Sequence, residues 1–279
     1  MSEIIPDLLA PGLTEAIEAN LAEEVESFGR NLPGGTIHRD AELSYFSTNR
    51  SFYNGVNLTR FASDDKAYID ARIAETLAYF QARELPFMWS IGPSTRPTNL
   101  TASLLEHGST FSHAIEALVI DLNTVDLDVP SPEGLVIKEA RDKQELLPLR
   151  TLEIICFDAS EEIAQNYYDN YVTAGFGIGK EWHHFIGYWH DRPVAMAALL
   201  LHAGVAGIYG VATIPEARQH GIGTALVRYA MREAHAAGYR VATLTPSEMS
   251  IKIYRRLGFQ HWCTIRHYKW TPDKPELSG

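Results

Sequence analysis

Cysteine is scarce. The 279 residues contain two, Cys156 and Cys263, and they form no Cys-x-x-Cys pair, so the sequence offers neither a disulfide framework nor a thiol redox motif. Both are expected to be buried thiols in a reducing compartment. Long apolar runs are missing too: the longest, Val194 to Leu201, falls far short of the ~20 residues of a membrane span. The start, Met1 to Asp7, has no basic segment followed by an apolar one. A signal peptide is therefore not expected, and the cytoplasm is the expected compartment. The Asn-Leu-Thr sequons at Asn57 and Asn99 are then chance matches. Excess positive charge is absent: the net charge is −11, and no basic face suggests nucleic acid as a partner. Residues 1–122 carry 17 acidic and 8 basic side chains and the remainder 18 and 16, so the second part is the better host for a polyanionic ligand. There is no Gly-x-Ser-x-Gly nucleophile elbow and no metal-ligand cluster. His183 and His184 are adjacent on an expected strand, where neighbours face opposite ways.

What is present is a globular composition, 46% hydrophobic and 21% charged, with one clear break. Asp121 to Gly134 is acidic, holds Pro130 and Pro132, and has no hydrophobic period. It divides the chain into residues 1–122, a connection at 123–134, and residues 135–279. After the break, Leu135–Ile137 reads as a strand, and Asp142 with Glu145 as a capping box. His184–Tyr188 and Val194–Leu201 flank a turn and read as a hairpin. Val205–Thr213 gives a third strand, stopped by Pro215. Ile222, Ala225, Leu226, Tyr229, Ala230 and Ala234 mark one face of a helix that ends at Gly238. A strand at Val241–Leu244, a short helix from Glu248 to Leu257 and a hairpin from Phe259 to Trp270 are expected to complete this half. The first half repeats part of the order: a helix over Ser63–Phe80, a strand at Phe87–Ile91, a helix around Leu100–Glu106, then Gly108. This recurrence predicts an internal duplication.

The stretch that carries chemistry runs from Val211 to Leu226, VATIPEARQHGIGTAL. A strand ends at a proline, a basic residue follows, and two glycines open a helix. The first N–H groups of a helix lack internal partners and carry partial positive charge, so a pyrophosphate can dock there. Gly221 and Gly223 let its oxygens approach the backbone, and Arg218 can pair with a phosphate. Two other phosphate loops are excluded. A Walker loop needs Lys-Ser or Lys-Thr where Thr224-Ala225 stands, and the dinucleotide fingerprint needs a small residue where Leu226 stands. Some thirty residues on comes Ser247 to Phe259, SEMSIKIYRRLGF.

Together these stretches resemble the GNAT superfamily of N-acetyltransferases. The family's cofactor loop, Gln/Arg-x-x-Gly-x-Gly/Ala, is met by Arg218, Gly221 and Gly223. Its later helix, with a tyrosine and a Leu-Gly-Phe end, is met by Tyr254 and Leu257-Gly258-Phe259. The resemblance covers roughly Leu135 to Tyr268. It implies a mixed α/β fold, a mostly antiparallel central sheet flanked by helices, here duplicated. It implies acetyl-CoA as co-substrate, no metal, and direct attack by a primary amine of a small molecule or peptide. Val211, Ala212 and Thr213 would line the pantetheine and polarise the thioester carbonyl. Arg218, Gln219, His220, Gly221, Ile222, Gly223 and Thr224 would hold the pyrophosphate. Ser247 stands where the family often has a cofactor-contacting asparagine, and it equally suits a helix cap at Glu248. Tyr254 would protonate the departing thiolate.

Residues 1–122 look like the extra N-terminal domain of tandem GNAT proteins, without a cofactor loop and with Leu104 in the place of Tyr254. Such a half would shape the substrate cleft or a homodimer. The family often uses a glutamate on the central strands as base, yet Gly207–Thr213 carries no carboxylate. His202, Tyr209 and Glu181 are the candidates left, each of a type more often structural. Two further readings stay open. One is a tandem acetyltransferase resembling mycothiol synthase; the other is a non-catalytic acyl-CoA-binding regulatory module.

Overall fold

The computed structural model describes residues 3–272. Helix α1 (Leu13–Asn31) precedes strands β1 (Thr36–Arg39), β2 (Ser44–Ser47) and β3 (Gly55–Asn57). Helix α2 (Lys66–Gln81), strand β4 (Phe87–Ile91), helix α3 (Leu100–Glu106) and strand β5 (Thr110–Asp121) follow. Next come β6 (Leu135–Glu139), α4 (Lys143–Leu146), α5 (Pro148–Phe157) and α6 (Glu161–Ala174). Strands β7 (Trp182–Trp189), β8 (Arg192–His202) and β9 (Val205–Thr213) lead to α7 (Ile222–Ala236). Strand β10 (Val241–Leu244), α8 (Ile251–Arg256) and β11 (Gln260–Trp270) close the chain. The fold is mixed α/β, with mostly antiparallel strand pairing and flanking helices.

The chain forms two compact units. One comprises Met1–Glu24 and Glu116–Trp262, the other Val25–Ile115 and Cys263–Gly279. Their boundaries fall inside α1, β5 and β11. In the second of these units the strand order is β1-β2-β3-β4-β11. Strand β3 pairs parallel with β4, as a strand–helix–strand crossover through α2 requires. Strand β4 then pairs antiparallel with β11, Phe87 opposite Trp270. Ile69, Ile73, Leu77 and Phe80 bury one face of α2 against Val56, Trp89 and Leu104. The helix begins at Lys66 rather than Ser63 because the Asp65 side chain accepts from the Tyr68 N–H and caps it there.

The other unit has the order β5-β10-β9-β8-β7-β6. Here the parallel pair is β9 with β10, joined through α7, and β10 pairs antiparallel with β5. The order helix, strand, short helix and long strand occurs twice along the chain, as α2–β4–α3–β5 and α7–β10–α8–β11. Side-chain alternation puts α6 and α7 on opposite faces. His184 meets Tyr171 of α6, while the next residue, Phe185, meets Tyr229 of α7. Leu226, Val227, Ala230, Met231 and Ala234 are the buried stripe of α7, and Gly238 caps its end at φ +95°. The start of α1 is fastened to the β8–β9 hairpin by a buried amide. Asn20 Nδ2 donates to the carbonyls of Leu200, His202 and Val205 at 3.2, 2.9 and 3.1 Å.

Two further expectations change. The stretch from Phe259 to Trp270 is one long strand, not a hairpin. It contains no turn-forming residue, and Cys263, Ile265, Tyr268 and Trp270 are all buried along it. The short helix starts at Ile251, not Glu248, because Ser247–Ser250 close a turn first, with the Ser250 N–H on the Ser247 carbonyl at 3.0 Å. Among the described residues no helix is long and apolar enough to cross a membrane.

Candidate functional site

The site starts from an irregularity in β9. Ala198 pairs with Tyr209 and Met196 with Ala212, so Gly210 and Val211 together oppose Ala197. That is a β-bulge, which swings backbone groups out of the ladder, and Gly210 accommodates it at φ +57°. On its other edge, β9 pairs with β10 at Ala206 and Gly207 alone. From Ile208 to Thr213 no strand among the described residues pairs with that edge, and Val211, Ala212 and Thr213 are half-buried along it.

Thr213 ties this edge to the glycine loop. Its carbonyl accepts a hydrogen bond from Arg218 Nε at 3.0 Å. A Cβ on Gly223 would lie 3.4 Å from its hydroxyl oxygen. Between them Pro215–Ala217 make one 3-10 turn, Gln219 takes φ +65°, and His220 Nδ1 donates to the Arg218 carbonyl at 2.8 Å. Gly221 is the N-cap of α7 at φ +75°, and no side chain caps the helix. The first helical bond is from the Ala225 N–H to the Gly221 carbonyl. The N–H groups of Ile222, Gly223 and Thr224 therefore have no acceptor within the helix. Ile222 points into the core, while Gly223 and Thr224 are partly exposed. Arg218 spends Nε on Thr213 and keeps its two terminal nitrogens for solvent or an anion. The arrangement has the chemistry of an anion site: open N–H donors, a helix dipole and a cation.

Tyr254 lies on α8, 8% exposed, its ring edge-on to Phe259 at 5.9 Å. Burial pushes its hydroxyl up to about 12, so it remains a proton-bearing donor at any ordinary pH. Among the described residues no hydrogen bond or ring contact joins it to the glycine loop. Ser247 is exposed; its hydroxyl pairs with that of Ser250 at 2.9 Å. It belongs to the turn before α8 and makes no side-chain cap of that helix.

The three candidate bases are each engaged elsewhere. His202 pairs with Glu181 at 3.0 Å. Tyr209 is buried and donates its hydroxyl hydrogen to Asn20 Oδ1 at 2.7 Å, and burial together with the charge of Glu24 pushes its pKa far above 10. The histidine pair does face opposite ways. His183 bonds Glu139 at 2.7 Å, whereas His184 is fully buried beside Tyr171 and Trp182, and burial lowers it to about 3. Cys156 is half-buried, and burial raises its thiol to about 11, which leaves it unreactive.

Two carboxylates lie outside the sequence reading. Glu24 ends the α1 segment of this unit, one helical turn beyond Asn20, and Glu153 is 5% exposed on α5. Burial raises each to about 7, with the charge of Glu24 adding to Glu153. The charge of Glu24 also acts on Tyr209. A glutamate inside the apolar run Leu149–Phe157 was the one sequence signal for this pair. Among the described residues no group of three His, Cys, Asp or Glu could hold a metal ion.

Comparison with known proteins fits this geometry. Residues 148–259 match the model of the acetyltransferase (GNAT) family, a span that includes β9, the glycine loop, α7 and Tyr254. No curated protein matches the sequence. A GCN5-related N-acetyltransferase from Kribbella flavida superposes with a TM-score of 0.70, over 96% of this chain and 99% of its own, at 20% identity. A tandem GNAT protein from the clavulanic acid biosynthesis pathway does so at 0.67, over 98% and 99%, at 16% identity. A GCN5-related N-acetyltransferase from Sphaerobacter thermophilus gives 0.61, over 100% and 98%, at 16% identity. At such identities the likeness speaks for the fold, and it extends along both halves of the chain.

Proposed function

We propose that the protein, whose residues 148–259 match the model of the acetyltransferase (GNAT) family, moves an acetyl group from acetyl-CoA to a primary amine by direct attack. The observation that carries this reading is the continuity of an unpaired β9 edge with an uncapped, glycine-lined helix start. An extended pantetheine arm would add to Val211–Thr213 as a strand adds to a sheet edge. The pyrophosphate would take the N–H groups at Gly221–Thr224, flanked by Arg218, Gln219 and His220, with Ser247 near the cofactor. In this assignment residues 135–279 supply the donor site, residues 1–122 lack a cofactor loop, and 123–134 connect them.

The amine nitrogen attacks the thioester carbon, and an N–H freed by the bulge holds the oxygen as charge develops on it. The carbon–sulfur bond then breaks. Tyr254 donates a hydrogen bond to the sulfur. Its hydroxyl at about 12 lies above a thiol's ordinary ~8.5, which favours stabilising the thiolate over fully surrendering the proton. The proton lost by the amine ends on the thiol, and Glu24 and Glu153 are the carboxylates suited to carry it. The acceptor is an amine of a small molecule or a peptide. A purely acyl-CoA-binding role would draw on the lack of a carboxylate on β9, but the two carboxyls at about 7 supply that group from α1 and α5. Release of free thiol from acetyl-CoA, followed across amino acids, polyamines, aminoglycosides and peptide N-termini, tests the proposal. Amine-dependent release is the expected result. Binding of acetyl-CoA without turnover on any amine would favour the regulatory reading.

A further inference from the structure

One residue of helix α1 reaches the strand that carries the donor edge. Asn20 is fully buried, and both polar atoms of its amide are paired within its own compact unit. Its Nδ2 donates to the carbonyls of Leu200, His202 and Val205. Its Oδ1 accepts the Tyr209 hydroxyl hydrogen at 2.7 Å, 189 residues away along the chain. Three carbonyls need the amide's N–H groups on their side, which leaves Oδ1 for the hydroxyl.

That hydroxyl bond falls where β9 changes character. Gly207 is the last residue of β9 to pair with β10. Gly210 and Val211 then share the single partner Ala197 in the bulge. Tyr209 stands between them, on the same face of the strand as Gly207. A Cβ at Gly207 would collide with Asn20 Oδ1 and lie 2.5 Å from Tyr209 Cε2 and 2.8 Å from its hydroxyl oxygen. The glycine is therefore the opening through which the amide reaches the strand. The same openness leaves the bulge poorly anchored by β9 itself, because glycines at 207 and 210 bring no side chains to pack, and register is loosely specified in glycine-rich strands. A slip of one residue would turn Tyr209 to the opposite face of the sheet. Its hydroxyl would then lose Asn20, and the amide oxygen would be left buried without its donor, so the satisfied network selects one position for the bulge.

We infer that Asn20 is a positioning residue for acyl transfer: through the Tyr209 hydroxyl it fixes the bulge at Gly210–Val211 and so aims the freed N–H that meets the thioester oxygen. The inference rests on the donor site and the direct attack proposed above. It gives helix α1 a share in the chemistry of β9, and it makes Tyr209 a strut of the oxyanion site rather than a base.

Tyr209→Phe is the decisive variant. It removes one hydroxyl and keeps the three bonds from Asn20 to the β8–β9 hairpin, so the fold is retained. The measurement is the ¹³C resonance of acetyl-CoA labelled at the thioester carbonyl, recorded free, bound to the wild type and bound to Tyr209→Phe, with acetyl-CoA affinity and steady-state kinetics alongside. An aimed N–H polarises the carbonyl, so the wild-type signal is expected to move downfield on binding. In Tyr209→Phe it is expected to return towards its free position, with acetyl-CoA affinity unchanged, kcat lower by about ten- to a hundredfold, and the pH profile of kcat/KM unchanged in shape. Asn20→Ala should move the signal in the same way, and the double variant should add nothing further; the Tyr209→Phe result stands whether or not Asn20→Ala folds. No downfield shift in the wild type, or the same shift in Tyr209→Phe, overturns the inference while sparing the donor site. If kcat falls with the carbonyl signal unmoved, the hydroxyl acts on the amine and the inference is again overturned. Failure of the wild type to bind acetyl-CoA overturns the donor site and this inference together.

Discussion

Glu153 offers the most quantitative handle on the acidic pair. Its carboxyl is 5% exposed, and burial with the added charge of Glu24 raises it from 4.5 to about 7. A carboxyl raised on folding stabilises the fold most below its unfolded pKa, and that contribution is lost as pH rises through the folded value. Linkage between 4.5 and about 7 predicts that the wild type loses roughly 2.5 kcal/mol of stability between about pH 5 and about pH 8 through this residue. Glu153→Gln keeps the shape and hydrogen-bonding capacity of the protonated acid without its titration. The variant should therefore match the wild type near the lower pH and exceed it by about that amount near the higher. Urea midpoints of both proteins, followed by circular dichroism across this range, measure the difference directly. Parallel pH curves for the two proteins would show that Glu153 titrates normally in the fold and would remove the basis for its role as proton carrier.

Three further outcomes follow from the same geometry. Tyr254→Phe keeps the ring against Phe259 and should lower kcat and kcat/KM together by roughly ten- to a hundredfold with the KM for acetyl-CoA unchanged; steady-state kinetics with no change at all would make Tyr254 a core aromatic. Because Glu24 is raised to about 7 and must be ionised to accept a proton, kcat/KM should fall as pH drops through that value, and a Glu24→Gln variant that keeps the same acid limb would exonerate this residue. Asn20→Ala removes three hydrogen bonds to the β8–β9 hairpin and strands the Tyr209 hydroxyl, which should destabilise the protein by at least ~2 kcal/mol in denaturant titration.

The parts of this structure legible in the sequence are those written in local periodicity. The hairpin β7–β8, strand β9, the apolar stripe of α7 and the Gly238 cap are all short-range patterns, and each appears within a residue or two of its expected place. The glycine loop was legible because its chemistry is backbone chemistry, which a few glycines and a proline announce. What escaped depends on distance along the chain. The β9 bulge is visible only once β8 is beside it. The division of the chain within α1, β5 and β11 arises from pairings such as Phe87 with Trp270. Helix α1 buries Glu18, Asn20, Glu23 and Glu26, polar residues where a periodic reading looks for apolar ones, and so Glu24 passed unnoticed. The hairpin expected at Phe259–Trp270 assumed a turn where a single strand continues.

The central claim is that the start of α7 holds the donor's pyrophosphate, and Gly223→Val examines it most directly. Gly223 sits in ordinary helical backbone, unlike Gly221 at φ +75°, so the substitution adds bulk without forcing a left-handed valine. Its Cβ would stand 3.4 Å from the Thr213 hydroxyl, in the space where phosphate oxygens must reach the open N–H groups. Titration of acetyl-CoA into the wild type and into Gly223→Val, with the unfolding midpoint of each recorded alongside, is the measurement. The account predicts saturable binding by the wild type and none by a variant that remains folded. Unchanged acetyl-CoA affinity in Gly223→Val would contradict it.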